Sequence, residues 1–453
     1  MNVRGEVNQN VAGFVSPSRW APQADLETVR HLDQEYPFAM SNREDASFEL
    51  TDNGADDRRP ASARAARLIE RLVSGLRAGQ LRIVLPSGRS IDFTGGEPGP
   101  HATLILNRWR PLRRLILGGA VGFGECFVDG DWTSPDLVAL VRLIARNMAA
   151  FDRAIAGSRL LRSVERLRLL LHGNSRRGSR RNIVAHYDLG NGFYGLWLDE
   201  AMQYSSALFE TNADTLEAAQ ARKLARIVDL MRLEGGESVL EIGCGWGGLA
   251  KHLAVEKNAR VTAITLSPSQ RDWANRLAAA SGLADRIDVR LLDYRDVTGS
   301  FDRIVSIEML EAVGEAWWPT YFRTLADHLN PGGRAVLQAI TIADERYEGY
   351  RRTPDFIQKH VFPGGFLPSL SALKAQIAGA GLRIAHSETF ASSYARTLAE
   401  WRARFVAAWP KIAAQGFDER FRRLWTYYLC YCEGGFAERA IDVGLYVIER
   451  ESV

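Results

Sequence analysis

The sequence predicts an α/β fold in which a parallel, doubly wound, Rossmann-like sheet follows a smaller N-terminal α+β domain. Short apolar runs alternate with helical stretches across residues 239–448, the pattern of a parallel sheet covered by helices. A glycine-rich turn joins the first of these runs to a helix. The chain has 453 residues, more than one compact core usually holds, so we expect two domains.

Seven strands are predicted in the larger domain, each a short apolar run bounded by polar or glycine-containing turns. They occupy 239–242, 259–267, 287–292, 302–307, 334–342, 382–389 and 442–448. The helix that follows the glycine turn is expected over 249–255.

Composition divides the chain into four predicted segments. They are a polar extension over 1–60, an α+β domain over 61–150, a basic amphipathic helix and linker over 151–182, and the α/β domain over 183–453. Within the second segment we expect a helix over 62–78, strands over 81–85 and 102–106, and a glycine-rich connection over 117–132.

The basic segment predicts contact with an anionic bilayer surface. Leucines recur at helical spacing over 153–171 with arginines between them, and Arg176, Arg177, Arg180 and Arg181 follow. Such charges are attracted to anionic lipids. The segment lacks the aromatic interleaving and motifs of nucleic-acid binders, so no nucleic-acid partner is expected. A solvated linker beside a packed helix remains the alternative.

Overall composition is ordinary for a globular protein, with 46% hydrophobic residues, 25% charged residues and a net charge of +3. No apolar run approaches the ~18 residues that span a bilayer, and no signal peptide is evident. The four cysteines form no C-x-x-C pair, and the histidines show no metal-ligand spacing. We therefore expect a cytoplasmic protein without a metal, held peripherally at the inner membrane face.

The glycine turn after the first strand of the larger domain predicts a cofactor site. Gly243, Gly245 and Gly248 satisfy G-x-G-x-x-G, and the helix that follows presents backbone N–H groups to a ligand. An NAD site would want a carboxylate about 20 residues on, but the second strand ends with Thr265 and Ser267. Glu241 is instead well placed for the ammonium group of S-adenosylmethionine.

The third strand is followed by residues suited to an adenine ring. Asp293 could accept from the exocyclic amine, and Tyr294 could cover the ring face. The predicted cofactor site also includes Thr265, Leu266 and Gln270, at the end of the second strand and the start of the next helix.

Five long motifs occur in a fixed order around this turn. They read AHYDLGNGFY at 185–194, LDEAMQYSS at 198–206, IVSIEMLEAVG at 304–314, FPGGFLPS at 362–369 and YYLCYCEGGF at 427–436. Together they resemble the cyclopropane-fatty-acyl-phospholipid synthase family of methyltransferases. The resemblance covers about residues 181–450, and looser similarity extends back to about residue 65.

The resemblance implies a class I methyltransferase sheet and a reaction at a cis double bond of a phospholipid acyl chain. The π bond attacks the sulfonium methyl group of S-adenosylmethionine, a carbocation forms, and a proton leaves as a cyclopropane ring closes. In this family the base is a bound bicarbonate, so bicarbonate is the second predicted cofactor. The small N-terminal domain resembles the one that longer family members carry, whose fold is similar to that of sterol-carrier proteins, and this implies lipid handling.

The resemblance also assigns site residues. Glu311 takes the place of the glutamate that binds bicarbonate, Tyr428 that of its hydroxyl donor, and Ile340 that of a backbone contributor. Ser206 and Gln338 stand where bacterial cyclopropane synthases have Cys and His, although both can still donate to an anion. The segment near 185–206 folds over the cofactor in the family, which adds Tyr187 and Ser205 to the cofactor site.

Of three alternatives to cyclopropane formation by this chain, one stays open and two are disfavoured. Gln338 leaves open whether the product is a cyclopropane ring or a methylene or methyl branch. A lipid-binding protein with a degenerate methyltransferase fold is disfavoured by the intact glycine turn and by Glu311. An NAD-linked oxidoreductase is disfavoured by Thr265. The expected partners are an unsaturated phospholipid, the membrane surface and a second copy of the chain in a homodimer.

Overall fold

A computed structural model describes residues 60–155 and 189–450. The predictions for the N-terminal extension, for Tyr187 and for the arginines between 156 and 188 lie outside the described residues.

The N-terminal part is an α+β unit built on a four-stranded sheet. Its elements are α1 (Pro60–Val73), β1 (Ala78–Val84), β2 (Ser90–Thr94), β3 (Glu97–Leu106), α2 (Arg110–Val128), β4 (Trp132–Thr133), α3 (Leu137–Arg146) and α4 (Met148–Ile155). The strand order is β2-β1-β3-β4, in which β1 and β3 run parallel and the other two pairs antiparallel. The burial of alternate residues in β1 and β3 leaves one face of the sheet to pack against the helices.

The prediction of a glycine-rich connection over 117–132 is wrong over most of its length, because α2 continues to Val128. Close packing explains part of the glycine content: a Cβ on Gly124 would lie 2.8 Å from the ring of Phe356. Gly119 breaks the helical geometry with φ 58° and ψ −150°, which a residue with a Cβ rarely adopts. α2 is therefore a kinked helix.

The larger part alternates strands with helices. Its elements are α5 (Asn191–Tyr194), α6 (Leu216–Met231), β5 (Ser238–Ile242), α7 (Gly248–Lys257), β6 (Arg260–Thr265), α8 (Pro268–Ala280), β7 (Ile287–Leu291), β8 (Phe301–Ile307), α9 (Leu310–Val313), α10 (Trp318–His328), β9 (Leu329–Ile342), α11 (Asp344–Arg352), α12 (Phe356–His360), α13 (Leu370–Gly379), β10 (Leu382–Thr389), α14 (Ala391–Ala413), α15 (Glu419–Ala437) and β11 (Ile441–Arg450).

These strands form one seven-stranded sheet of order β10-β11-β9-β8-β5-β6-β7, so each of the seven predicted strands is present. The pairs from β9 to β7 are parallel, and β11 runs antiparallel to both of its neighbours. The chain runs outward from β5 to β7 and then returns to β8 on the other side of β5. The carboxyl ends of β5 and β8 therefore flank the switch point, where open α/β sheets bind their ligands.

The two parts share a hydrophobic core. Phe356, Tyr427 and Cys430 of the larger part are buried in the same cluster as the apolar faces of β1, β3 and α3. Arg142 and Arg146 on α3 both bond to the carboxylate of Glu438, at 2.8 Å each. Across 60–155 and 189–450, no helix combines the length and apolarity needed to cross a bilayer.

Candidate active site

The glycine turn after β5 is held against the end of β6. The N–H groups of Gly243 and Cys244 both donate to the carbonyl of Ile264, at 3.0 Å each. Gly243 has φ +84°, and a Cβ there would lie 2.8 Å from Cγ of Met309. A Cβ on Gly248 would collide with the amide of Gln203. The turn is thus a tightly packed backbone cradle that no side chain fills.

Glu241 lies buried at the end of β5, directly before the turn. One of its carboxylate oxygens, Oε2, has no hydrogen-bond partner among the described residues. Burial raises the pKa of Glu241 to about 8, against the opposing effects of the Ala250 N–H and Lys223. A buried carboxylate with an unused oxygen beside a glycine turn suits the ammonium group of S-adenosylmethionine.

Lys223, on α6, is a fully buried cation in the same region. Its Nζ donates to Oγ of Ser205 at 2.7 Å and to Oε1 of Gln203 at 3.2 Å. Burial lowers the pKa of Lys223 to about 8, and the neighbouring carboxylates of Glu308, Asp199 and Glu241 oppose that shift. Lys223 therefore links two parts of the site: it donates a hydrogen bond to Ser205, and its positive charge interacts with the carboxylates of Glu308 and Glu241 at the strand ends.

The segment from Asp199 to Ser206 covers the glycine turn. Its fold is set by Asp199, whose carboxylate accepts the N–H of Ala201 at 3.0 Å and that of Gln203 at 2.8 Å. Gln220 donates to the carbonyl of Ser205 at 2.9 Å and ties the segment to α6. Ser205 thus belongs to a segment that packs against the glycine turn through Ala201 and Gln203.

The ends of β6 and β7 carry the other predicted cofactor residues. Oγ1 of Thr265 donates to Oε1 of Gln270 at 2.8 Å. Asp293 forms a buried ion pair with Arg295, whose Nε and Nη2 donate at 2.8 and 2.6 Å. Tyr294 is buried, and its ring packs edge-on against Tyr321 with centroids 5.5 Å apart. Leu266 is partly buried between β6 and α8. None of these groups at the end of β6 is a carboxylate.

Two partly buried glutamates follow β8. Glu311 accepts the backbone N–H of Ile340 at 2.6 Å through Oε1, while its Oε2 has no hydrogen-bond partner among the described residues. Burial and then the charge of Glu308 raise the pKa of Glu311 to about 8. Since two such carboxylates do not readily ionise together, Glu311 is the one that keeps its proton near neutrality.

Glu308 is bound by three donors. Its Oε1 accepts the backbone N–H of Ser206 at 2.8 Å and Nε2 of Gln338 at 2.7 Å, and its Oε2 accepts the hydroxyl of Tyr394 at 2.5 Å. The hydroxyl of Ser206 donates instead to the carbonyl of Ala207, at 2.9 Å. Ser206 and Gln338, which the family resemblance assigns to a bound bicarbonate, therefore donate to the carboxylate of Glu308 instead.

A cavity of about 1010 Å³ connects these glutamates to the N-terminal part. Leu72, Leu81, Ile83 and Leu104 line it from the four-stranded sheet and α1, and Glu308, Glu311, Ile340 and Tyr428 line it from the larger part. Tyr428 pairs with Tyr204, whose hydroxyl lies 3.0 Å from its own. The result is a largely apolar chamber in which carboxylates and aromatic rings meet.

The structure thus brings Glu311 to Ile340, and Ser206 and Gln338 to Glu308. Sequence reasoning missed Lys223 and did not include Glu308 among the site residues. Gln220, Lys223, Leu224 and Ile227 follow helical spacing, which places the lysine on the apolar face of α6 and could have revealed its burial. Nothing in the sequence distinguishes the environments of Glu308 and Glu311.

The sheet order, the glycine cradle and the buried glutamate at the end of β5 define a class I methyltransferase dependent on S-adenosylmethionine. The chain belongs to the mycolic acid cyclopropane synthetase family, whose profile matches residues 174–445. Tuberculostearic acid methyltransferase UfaA1 of Mycobacterium tuberculosis is 39% identical over 403 residues, covering 86% of this chain and 92% of that protein.

A second relative and a solved structure agree with this assignment. The cyclopropane-fatty-acyl-phospholipid synthase of Escherichia coli strain K12 is 35% identical over 349 residues, covering 75% of this chain and 85% of that protein. The crystal structure of mycolic acid cyclopropane synthase CmaA1 complexed with SAH and CTAB is 29% identical, with a TM-score of 0.57 over 60% of this chain and 98% of that one. The protein is therefore a lipid methyltransferase.

Proposed function

We propose that this chain transfers the methyl group of S-adenosylmethionine to a cis double bond in the acyl chain of an unsaturated phospholipid. The observation that carries the proposal is the largely apolar cavity of about 1010 Å³ that is lined by two partly buried carboxylates, Glu308 and Glu311. A fatty acyl chain is the kind of ligand such a chamber accepts, because it buries apolar surface and offers no polar group that would need a partner.

The cofactor supplies an electrophilic methyl group when it is bound. The chain's own residues hold it: the glycine turn admits it at close range, and Glu241 offers an oxygen to its ammonium group. Tyr204, Phe362, Tyr394 and Tyr428 line the cavity and present π faces that stabilise positive charge developing on the acyl chain. The chamber also keeps water from a carbocation that water would trap.

Two products follow from the same cation. Loss of a proton from the transferred methyl group with ring closure gives a cyclopropane, the outcome we favour as in cyclopropane-fatty-acyl-phospholipid synthases. Alternatively, a hydride first shifts between the two former alkene carbons and moves the cation to the carbon that bears the new methyl group. Loss of a proton from that methyl group then gives a methylene branch, which a separate reduction would convert to a methyl branch. The second candidate is supported by the relative named tuberculostearic acid methyltransferase and by Gln338.

Bicarbonate fits the described residues poorly. The Ser206 N–H and Nε2 of Gln338 already donate to Glu308, and the hydroxyl of Tyr428 pairs with that of Tyr204. Glu311 and Ile340 bond directly to each other. For this reason we route no step of the reaction through bicarbonate.

The protein is further proposed to work peripherally at the anionic inner face of a membrane, through the basic segment over 151–182. Support comes from its arginines and from the lipid substrate that the cavity suits. A homodimer remains a prediction.

The test is to express the chain in a host rich in cis-unsaturated phospholipids and to analyse its fatty esters by mass spectrometry. A gain of one CH₂ unit is expected in the monounsaturated chains, and NMR then separates a ring from a branch. Purified protein that binds S-adenosylmethionine but leaves these lipids unmodified in vesicles would refute the proposal.

A further inference from the structure

We propose that the carboxylate of Glu308 is the base that removes the proton from the transferred methyl group, in place of a bound anion. The inference rests on the proposed function, and it holds for either product, since both require that proton to leave. Four observations support it: the position of Glu308, its donors, its place in the cavity and the second carboxylate beside it.

The backbone holds Glu308 in an unusual conformation. Its φ is +49°, in the left-handed region, which a residue with a Cβ rarely adopts. Its N–H donates to the carbonyl of Gln338 at 2.8 Å, so both the backbone and the side chain of Glu308 bond to Gln338. Strain of this kind persists where the surroundings hold a residue in place, and it is concentrated at functional sites.

The donors around Glu308 favour its ionised form. Burial raises the pKa of Glu308, and the Tyr394 hydroxyl, the Ser206 N–H, Lys223 and Gln338 each act to lower it. For Glu311, only backbone N–H groups, those of Ile340 and of Glu311 itself, act to lower the pKa, while burial and the charge of Glu308 raise it. In this pair Glu308 is thus the carboxylate with the charge stabilised, and Glu311 is the neutral acid.

Glu308 also reaches the substrate chamber. It lines the cavity together with Phe362 and Tyr428, whereas among the described residues neither Ser206 nor Gln338 does. Its Oε2 accepts one hydrogen bond in the structure, from Tyr394, and a carboxylate oxygen can accept a second. The three donors therefore orient a base whose free lone pair is available to the cavity.

The step balances without a further reagent. The π electrons of the alkene form the new C–C bond to the methyl carbon as the S–C bond breaks, and that pair stays on sulfur. Oε2 of Glu308 then takes a proton from the methyl group. The C–H electrons close the ring or, after the hydride shift, form the exocyclic double bond. Glu308 returns to its carboxylate by losing that proton to solvent after product release.

The decisive experiment compares wild type with Glu308→Gln in vesicles of dioleoyl phospholipid, in buffer freed of carbon dioxide and in buffer with added bicarbonate. We expect wild-type turnover to be the same in both buffers. Glu308→Gln should keep the affinity for S-adenosylmethionine and lose about 10²–10³-fold in turnover, as expected when a positioned base is removed. Formate should raise the turnover of Glu308→Ala, where it can take the vacated carboxylate position.

Glu315→Gln is the matched control. It also replaces a glutamate by glutamine between β8 and α10, but Glu315 is partly exposed and bonds to Tyr347 and Arg351 outside the cavity. Its turnover should equal that of wild type. Wild-type turnover that falls on removal of bicarbonate, or a folded Glu308→Gln that keeps wild-type turnover, would overturn the assignment. Both outcomes presuppose methylated lipid from wild type, so they are distinct from failure of the proposed function.

Discussion

The glycine cradle allows a paired test of close packing against backbone strain. Gly243 and Gly236 have nearly equal φ values, +84° and +86°, so an alanine at either position carries a similar left-handed cost of about 1–2 kcal/mol. They differ in surroundings: a Cβ on Gly243 would lie 2.8 Å from Cγ and 3.2 Å from Cβ of Met309, while a Cβ on Gly236 would have no atom within 4 Å. The difference between the two variants isolates the contact with Met309.

We expect Gly236→Ala to lower the free energy of unfolding by about 1–2 kcal/mol, through strain alone. Gly243→Ala should lose a further ~1–3 kcal/mol, the usual cost of overpacking a filled site. At about 2–4 °C per kcal/mol, its Tm should fall clearly below that of Gly236→Ala. Because Met309 lies next to Glu308, and because the new Cβ stands in the cradle, Gly243→Ala should also weaken the binding of S-adenosylmethionine.

The assays are urea denaturation, for the free energy of unfolding, and titration calorimetry, for cofactor affinity. Gly236 lies before the amino end of β5, whereas the cradle follows its carboxyl end, so the Gly236→Ala variant should bind S-adenosylmethionine like wild type. Equal stability loss in the two variants would refute the packing argument, and equal cofactor affinity would remove Gly243 from the cofactor site.

Three further predictions concern the buried charges and the cavity. Lys223→Met removes the donor to Ser205 and Gln203, so it should lower the free energy of unfolding in urea by about 3 kcal/mol or more and weaken cofactor binding. Lys374→Met, at an exposed lysine, is the control and should leave both quantities nearly unchanged. Glu311 keeps its proton in the folded state to about pH 8, against an ordinary pKa of 4.5. Its contribution to stability is therefore present at low pH and lost as the pH rises through about 8, and Glu311→Gln should flatten that decline; identical pH slopes of the unfolding free energy would contradict it. Leu104→Trp adds bulk to the cavity wall on β3, so it should shift turnover from oleoyl toward palmitoleoyl lipids when the two substrates compete. Leu106 is buried on the same strand but does not line the cavity, so Leu106→Trp should lose stability without that shift in substrate preference.

Much of the larger domain was predictable because its signals are local. Each strand is a short apolar run between turns, and all seven predicted runs form strands. The glycine turn was also readable, since its backbone needs glycine at positions such as Gly243, where φ is positive. Glycine content misled in α2, where it serves close helix packing against Phe356 as well as a kink at Gly119.

The sequence by itself determined the fold class, the glycine turn and the set of polar residues that lie near the strand ends. Only the tertiary structure decided which of these residues are partners. Glu308 accepts hydrogen bonds from residues 206, 338 and 394, and Glu311 from residue 340, although the two glutamates are three positions apart. The protonation of a buried carboxylate depends on its desolvation and on its donors, and both are set by chain segments that are distant in sequence and meet only in the folded protein.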